Sequence, residues 1–225
     1  MTNNEIELNT NITKKIWRLL DRNPCILRNM RCGLINVRAL AMYLIREEKI
    51  DTTIDAVVSA IRRYNFDAYE ATFKSAHKVI REPTAISTRS PLAILSVVKD
   101  AEVQNILPQL YSRIQPDQGD VLRVMQGNRS IKIVIDGHNL ERVKRLFSKK
   151  DILAIDENLG EICVHNMVPN GRITPGILAI SANELAINSI NVLEIMSGSS
   201  EILWFVEERD IQRAYNVLYQ LWKGK

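Results

Sequence analysis

Cysteine, histidine and glycine are all scarce in this chain. Three Cys in 225 residues cannot build a disulfide framework, and no two stand in a C-x-x-C pair. Cys25 and Cys32 are seven apart with no second pair, which argues against zinc and for small core residues. The three His form no H-x-x-x-H: His77 reads as solvated on a charged helix, His138 as part of a turn, and His165 as a packed or edge residue of a strand. No G-x-S-x-G and no phosphate-binding loop occurs. No catalytic residue, cofactor or metal site is therefore expected, and the chain is not expected to be an enzyme. Nine Gly and seven Pro are too few for a loop-rich scaffold. No apolar run approaches the roughly 20 residues that span a bilayer. The opening MTNNEIELNTN is polar, without the apolar stretch of a secretory signal. A soluble, cytoplasmic protein is expected.

What is present fits a globular chain, with 46% hydrophobic and 25% charged residues. The net charge of +4 hides an asymmetry. Residues 1–85 carry 14 Lys/Arg and 10 Asp/Glu, residues 86–150 carry 11 and 6, and residues 151–225 carry 5 and 10. The first two-thirds are basic and the last third acidic, which suggests different partners for different parts.

Residues 11–82 read as a helical domain. Ile12, Ile16, Leu19 and Leu20 share one helical face. Asn23–Pro24 is expected to start a helix that Gly33 stops. Val37, Leu40, Ala41 and Leu44 make the next stripe. Thr52 and Asp55 have capping-box spacing ahead of Ile54, Val57, Val58 and Ile61, and Tyr69, Phe73, Ala76 and Ile80 mark a last helix. Pro83 and the polar run Ser87–Ser90 read as a linker. Beyond it, short β-runs (92–98, 121–125, 131–135, 152–155, 162–167, 192–196, 202–206) alternate with helical patterns over 101–114, 140–149, 177–188 and 209–222.

The most informative feature is an internal repeat. VLRVMQGNRSIKIVID (121–136) aligns without gaps with VLEIMSGSSEILWFVE (192–207). Val121, Leu122, Met125, Gly127 and Ile131 recur as Val192, Leu193, Met196, Gly198 and Ile202. Each copy reads strand, helix, hairpin of two strands, helix, with turns at Gly127–Asn128 and Gly198–Ser199. The expected architecture is α+β: a helical domain, then two tandem ferredoxin-like βαββαβ units over 88–157 and 160–225. The chain ends before a fourth strand of the second unit, so its sheet edge is expected to need covering by a neighbouring unit or a second subunit.

The second unit resembles the ACT domains of aspartate kinases. The resemblance rests on TPGILAI (174–180), the Ser189–Val192 entry to the second strand, and Ser200–Ile202 at the third. The segment GLINVRALAMYLIREE followed by DAVVSAIRRY resembles the N-terminal part of uncharacterised archaeal ACT-containing proteins. The resemblance implies an amino-acid effector at the loop between the first strand and its helix, against a paired unit. That loop has suitable chemistry, because a glycine-containing entry to a helix offers free N–H groups and the positive dipole end to a carboxylate. The candidate ligand-binding residues are Asn166, Asn170, Gly171, Arg172, Thr174, Gly176, Ile177 and Asn191, with Arg172 for the carboxylate and Asn191 for the ammonium.

Two functions remain open for the helical domain. Helices over 36–47 and 53–63 suit a helix-turn-helix in which Arg38, Ser59, Arg62 and Arg63 meet phosphates, near Arg28 and Arg31. This describes an amino-acid-responsive regulator of transcription, with DNA as partner. The alternative is a regulatory adaptor, without DNA binding, that docks on an amino-acid biosynthetic enzyme. Both imply a homodimer or higher homo-oligomer and no membrane partner.

Overall fold

The computed structural model describes residues 3–82, 84–166, 174–198 and 200–223. The chain divides into two compact units, Met1–Ala71 and Thr72–Lys225.

The first unit is helical. Helices α1 (Asn3–Asp21), α2 (Pro24–Arg31), α3 (Val37–Glu47) and α4 (Ile54–Arg62) surround a core of Ile16, Leu20, Leu27, Leu40, Ala41, Leu44, Val57, Ala60 and Ile61. The expected apolar stripes supply these residues. Trp17 Nε1 donates to Ala60 O at 2.9 Å, tying α1 to α4. Asn36 caps α3 by accepting from the Arg38 and Ala39 amides, each such cap contributing about 1 kcal/mol. The cap of α4 is Thr53 rather than Thr52: its Oγ1 accepts from Ala56 N, and Asp55 lies in the first turn. Asn23 precedes Pro24 as expected but does not cap α2, because its Nδ2 donates backwards to Leu19 O. Gly33 ends α2 at φ 69°, where a side chain would be strained.

Helix α5 (Asp67–Ile80) follows, and its Ala76, Val79 and Ile80 belong to a core of the second unit; the side chains of Tyr69 and Phe73 lie outside the described residues. The second unit is one antiparallel sheet of β1 (Thr84–Val98), β2 (Leu122–Gln126), β3 (Ser130–Asp136), β4 (Ile152–Asn166), β5 (Glu194–Ser197) and β6 (Glu201–Glu207), in the order β2-β3-β1-β4-β6-β5. Helices α6 (Ala101–Arg113), α7 (Leu140–Lys144), α8 (Ile177–Ile187) and α9 (Ile211–Lys223) complete it. The repeat is visible in the elements: β3 and β6 are both seven residues long, each entered through a hairpin closed by a glycine amide, Gly127 N to Ser130 O and Gly198 N to Glu201 O.

Two expectations change here. Ser87–Ser90 is not a linker but part of β1, and the β-runs at 152–155 and 162–167 fuse into the single strand β4 as far as Asn166; Pro83 and Met167 lie outside the described residues. The edge expected to need covering by a neighbouring unit or a second subunit is covered within the chain: Thr84–Arg89 pairs antiparallel with Glu161–Asn166. Polarity hid this segment. It is an edge of the β4 half, and edge strands tolerate Ser, Thr and Arg on their open side.

Register shifts between Arg89 and Leu92, and between Leu92 and Ile94, interrupt the β1–β4 ladder. A bulge reverses the alternation of side chains and bends the strand. As a result Ile86 packs against the core of α5, α8 and α9, while Ala93, Leu95 and Val97 pack against that of α6 and α7. The helices thus cover one face of both halves. On the opposite face, Leu92, Ile94, Val121, Val134, Leu159, Cys163, Leu203 and Phe205 form a third core. In a flat sheet β3 and β5 would be about 19 Å apart, four strand spacings, yet Lys132 on β3 and Glu194 on β5 form an ion pair. The sheet is folded over, and the two inner faces meet. Gly160 gives β4 room beneath α9: a Cβ there would lie 2.7–2.9 Å from Ile211 side-chain atoms.

Candidate functional site

The expected effector loop runs from the end of β4 into α8. Asn166 ends the strand, with its side chain outside the described residues, as are Asn170, Gly171 and Arg172 in full. Thr174 is half-buried at a bend. Gly176 occupies the N-cap of α8 at φ 94°, a left-handed conformation that glycine alone adopts without strain. It offers no side chain to the helix and so makes no side-chain cap itself. Ile177 is buried and anchors the helix in the core. Ser181, one turn on, is fully buried with no hydrogen-bond partner for Oγ among the described residues. Asn191 is exposed and precedes β5 instead of lying in the strand.

The four candidate phosphate contacts of the helical unit are partly engaged. Arg38 is ion-paired with Asp55 at 3.2 Å. Arg63 donates from Nε to Ser59 O of its own helix and from Nη2 across to Thr13 Oγ1 on α1. Ser59 and Arg62 lie on α4, and Arg62 is exposed. An acidic Asp55 in the first turn of α4 opposes phosphate at that end.

A second set of polar groups sits on the inner face of the folded sheet, where composition and motif searches gave no warning. Alternation along β4 puts Glu161, Cys163 and His165 on this face. Arg123 on β2 donates from Nη2 to Glu161 Oε1 at 3.0 Å. Glu161 Oε2 is buried with no hydrogen-bond partner among the described residues. Burial raises the Glu161 carboxyl above its ordinary value, and the Arg123 and Arg89 charges offset part of that rise. Cys163 Sγ donates to Glu201 Oε2 at 3.5 Å and lies 3.7 Å from His165 Nδ1. Its thiol is pushed up to about 12, first by burial and then by the Glu201 and Glu161 carboxylates. His165 Nε2 faces Ser87 Oγ at 3.3 Å. A period-two reading of EICVH would have grouped Glu161, Cys163 and His165. Glu201 and Ser87 needed the register. A smaller group, Asp120, Asp136 and His138, lies at the mouth of β2 and β3; there Asp136 Oδ2 accepts from Val121 N at 2.6 Å and serves the turn.

No protein-family model and no curated protein matches the chain. Solved structures do match, over about three-fifths of it. The regulatory subunit of aspartate kinase from Thermus flavus superposes with a TM-score of 0.51 at 10% identity, covering 61% of this chain and 97% of that one. The ligand-free regulatory subunit of aspartate kinase from Thermus thermophilus gives 0.49 at 9% identity, covering 61% and 97%. The Clostridium acetobutylicum aspartate kinase gives 0.48 at 19% identity, covering 62% of this chain and 34% of that one. The sheet and its helices have the fold of the Thermus flavus aspartate kinase regulatory subunit.

Proposed function

We propose that this protein is a non-catalytic regulatory protein that senses an amino acid at the segment joining β4 to α8 and docks on an amino-acid biosynthetic enzyme. The observation that carries this reading is the start of α8. Gly176, the N-cap at φ 94°, supplies no side-chain cap of its own to α8, and such a terminus suits a carboxylate. Arg172, with Asn170 and Gly171, would complete the carboxylate end. Asn166, Thr174 and Asn191 would meet the ammonium and the effector side chain.

The strand order supports reading the sheet as two ACT-type βαββαβ units. Each long strand would serve both: the second half of β1 begins the unit over 88–157, and its first half stands beside β4 as fourth strand of the unit over 160–225. The name of the Thermus flavus subunit, a regulatory subunit of aspartate kinase, supports a regulatory role here. Arg38 and Arg63 are engaged within the helical unit, which favours protein docking over DNA binding. The outer edges of β2 and β5, which pair with no further strand among the described residues, are the natural surfaces for a homodimer.

Thermal unfolding against each of the twenty amino acids tests the proposal. An effector at 100 times its Kd stabilises by about 2.7 kcal/mol if it binds only the folded state. A shift with one or a few amino acids, lost in Arg172→Ala, is expected. No shift with any of them would overturn the sensing role and leave the sheet as an assembly module.

A further inference from the structure

The geometry points to a zinc-binding site on the inner face of the sheet, formed by Cys163, His165 and Glu201. It is independent of the effector loop.

The three donor atoms form a nearly equilateral triangle. Cys163 Sγ to Glu201 Oε2 is 3.5 Å, Cys163 Sγ to His165 Nδ1 is 3.7 Å, and His165 Nδ1 to Glu201 Oε2 is 3.9 Å. Donors at about 2.0–2.3 Å from a tetrahedral zinc ion stand about 3.3–3.6 Å from one another. The triangle needs to contract by only a few tenths of an ångström to hold the ion. The donor set of one thiolate, one imidazole and one carboxylate favours zinc over magnesium or calcium, which take oxygen ligands.

The backbone holds these groups in place. His165 and Glu201 are directly paired across β4 and β6, and Cys163 is two residues along β4 on the same face. Strand residues with fixed register position ligands better than a loop does. The other nitrogen of His165 is also engaged: Ser87, directly opposite Cys163 on β1, places Oγ 3.3 Å from Nε2. Metal-bound imidazoles are oriented by such a partner on the far nitrogen. Cys163 is buried, while His165 and Glu201 are each 39% exposed. Three protein ligands with one exposed side leave the fourth position to water. On binding, Cys163 Sγ loses its proton to solvent and the hydrogen bond to Glu201 is replaced by two metal–ligand bonds.

The test uses the full chain, freed of metal by a chelator and kept reduced. Zn²⁺ is titrated against a chromophoric competitor, and Co²⁺ is added as the spectroscopic substitute. One equivalent of Zn²⁺ is expected. Co²⁺ should give the intense visible bands of a four-coordinate site together with thiolate-to-cobalt charge transfer. Cys163→Ser should abolish the charge-transfer band. His165→Ala and Glu201→Gln should weaken Zn²⁺ binding at least 10-fold, and Ser87→Ala by about 10-fold, the lower end of what outer partners contribute. The double variant Cys25→Ser, Cys32→Ser should bind like the parent, which separates this site from the two exposed cysteines. Should a variant not fold, the cobalt spectra of the parent and of that double variant decide alone. Absence of tight Zn²⁺ binding by the folded parent, or a cobalt–thiolate band lost with Cys25 and Cys32, would overturn the site.

Discussion

Arg123 on β2 and Glu161 on β4 meet at 3.0 Å across the inner face of the sheet, although β3 and β1 stand between their strands in the ladder. The contact exists because bulges in the paired strands β1 and β4 bend the sheet until its two halves face each other. It leaves a carboxylate 2% exposed, held by an arginine 26% exposed, with one oxygen unpartnered among the described residues. Several consequences can be measured.

Removing the arginine strands the buried charge. Arg123→Met should destabilise the fold by about 3–5 kcal/mol at neutral pH, as expected when one partner of a buried pair is lost. The cost should be smaller at pH 4, where Glu161 is protonated. Urea unfolding at the two pH values gives both numbers, and equal losses would show that the pair carries no charge coupling.

Glu161 also sets a pH dependence of stability. Its folded value lies above 4.5, so the folded state holds its proton longer than the unfolded state. Stability from this group is full below about 4.5, the ordinary value, and is lost as pH rises through the folded value. Glu161→Gln should remove that loss. The variant should gain on the parent between pH 4 and pH 7 in the same urea titrations, and a gap that shrinks with rising pH would contradict the assignment.

Gly160 is expected to resist substitution. A Cβ would meet Ile211 Cδ1 at 2.7 Å and its Cβ and Cγ1 at 2.9 Å. Gly160→Ala should cost about 1–3 kcal/mol by overpacking. Adding Ile211→Ala should recover only part, because the Ile211 Cβ contact remains. Thermal unfolding of the three variants distinguishes overpacking from a plain loss of Ile211.

The β1 extension should decide where the second unit begins. A fragment over 72–225 keeps the buried Ala76, Val79 and Ile80 and the strand Thr84–Arg89, and should unfold cooperatively. A fragment over 92–225 loses both and bares the Glu161–Asn166 edge, and should aggregate or melt broadly. Calorimetry of the two fragments reads the difference, and equal stability would remove the structural role given to Thr84–Arg89.

Much of this architecture is legible in the sequence, for physical reasons. The helical stripes, the Gly33 stop and the two glycine hairpins depend on local periodicity and turn conformation, and the ungapped repeat fixes β2, β3, β5 and β6. The first half of β1 was not legible. Ser87, Thr88, Arg89 and Ser90 look like a linker, because one side of that strand pairs while the other stays open. The inner-face cluster was half legible. Strand alternation puts Glu161, Cys163 and His165 together, but Glu201 and Ser87 join them only through long-range register, and Arg123 only through the bend. At the segment leading into α8, the Gly176–Ile177 helix start could be read locally because a Pro-Gly turn opening a helix is a local pattern, whereas the strand after Asn191 begins at Glu194, two residues later than the β-run expected from Val192.

The proposed sensing role rests on an amino acid binding at the start of α8. It is tested most directly by recording amide NMR spectra of the ¹⁵N-labelled full chain while adding each of the twenty amino acids in turn. One or a few of them should shift the amide signals of Ile177, Leu178 and Ala179, with the signals of α2 and α3 unmoved. Spectra unchanged by all twenty, or shifts confined to residues away from α8, would contradict it.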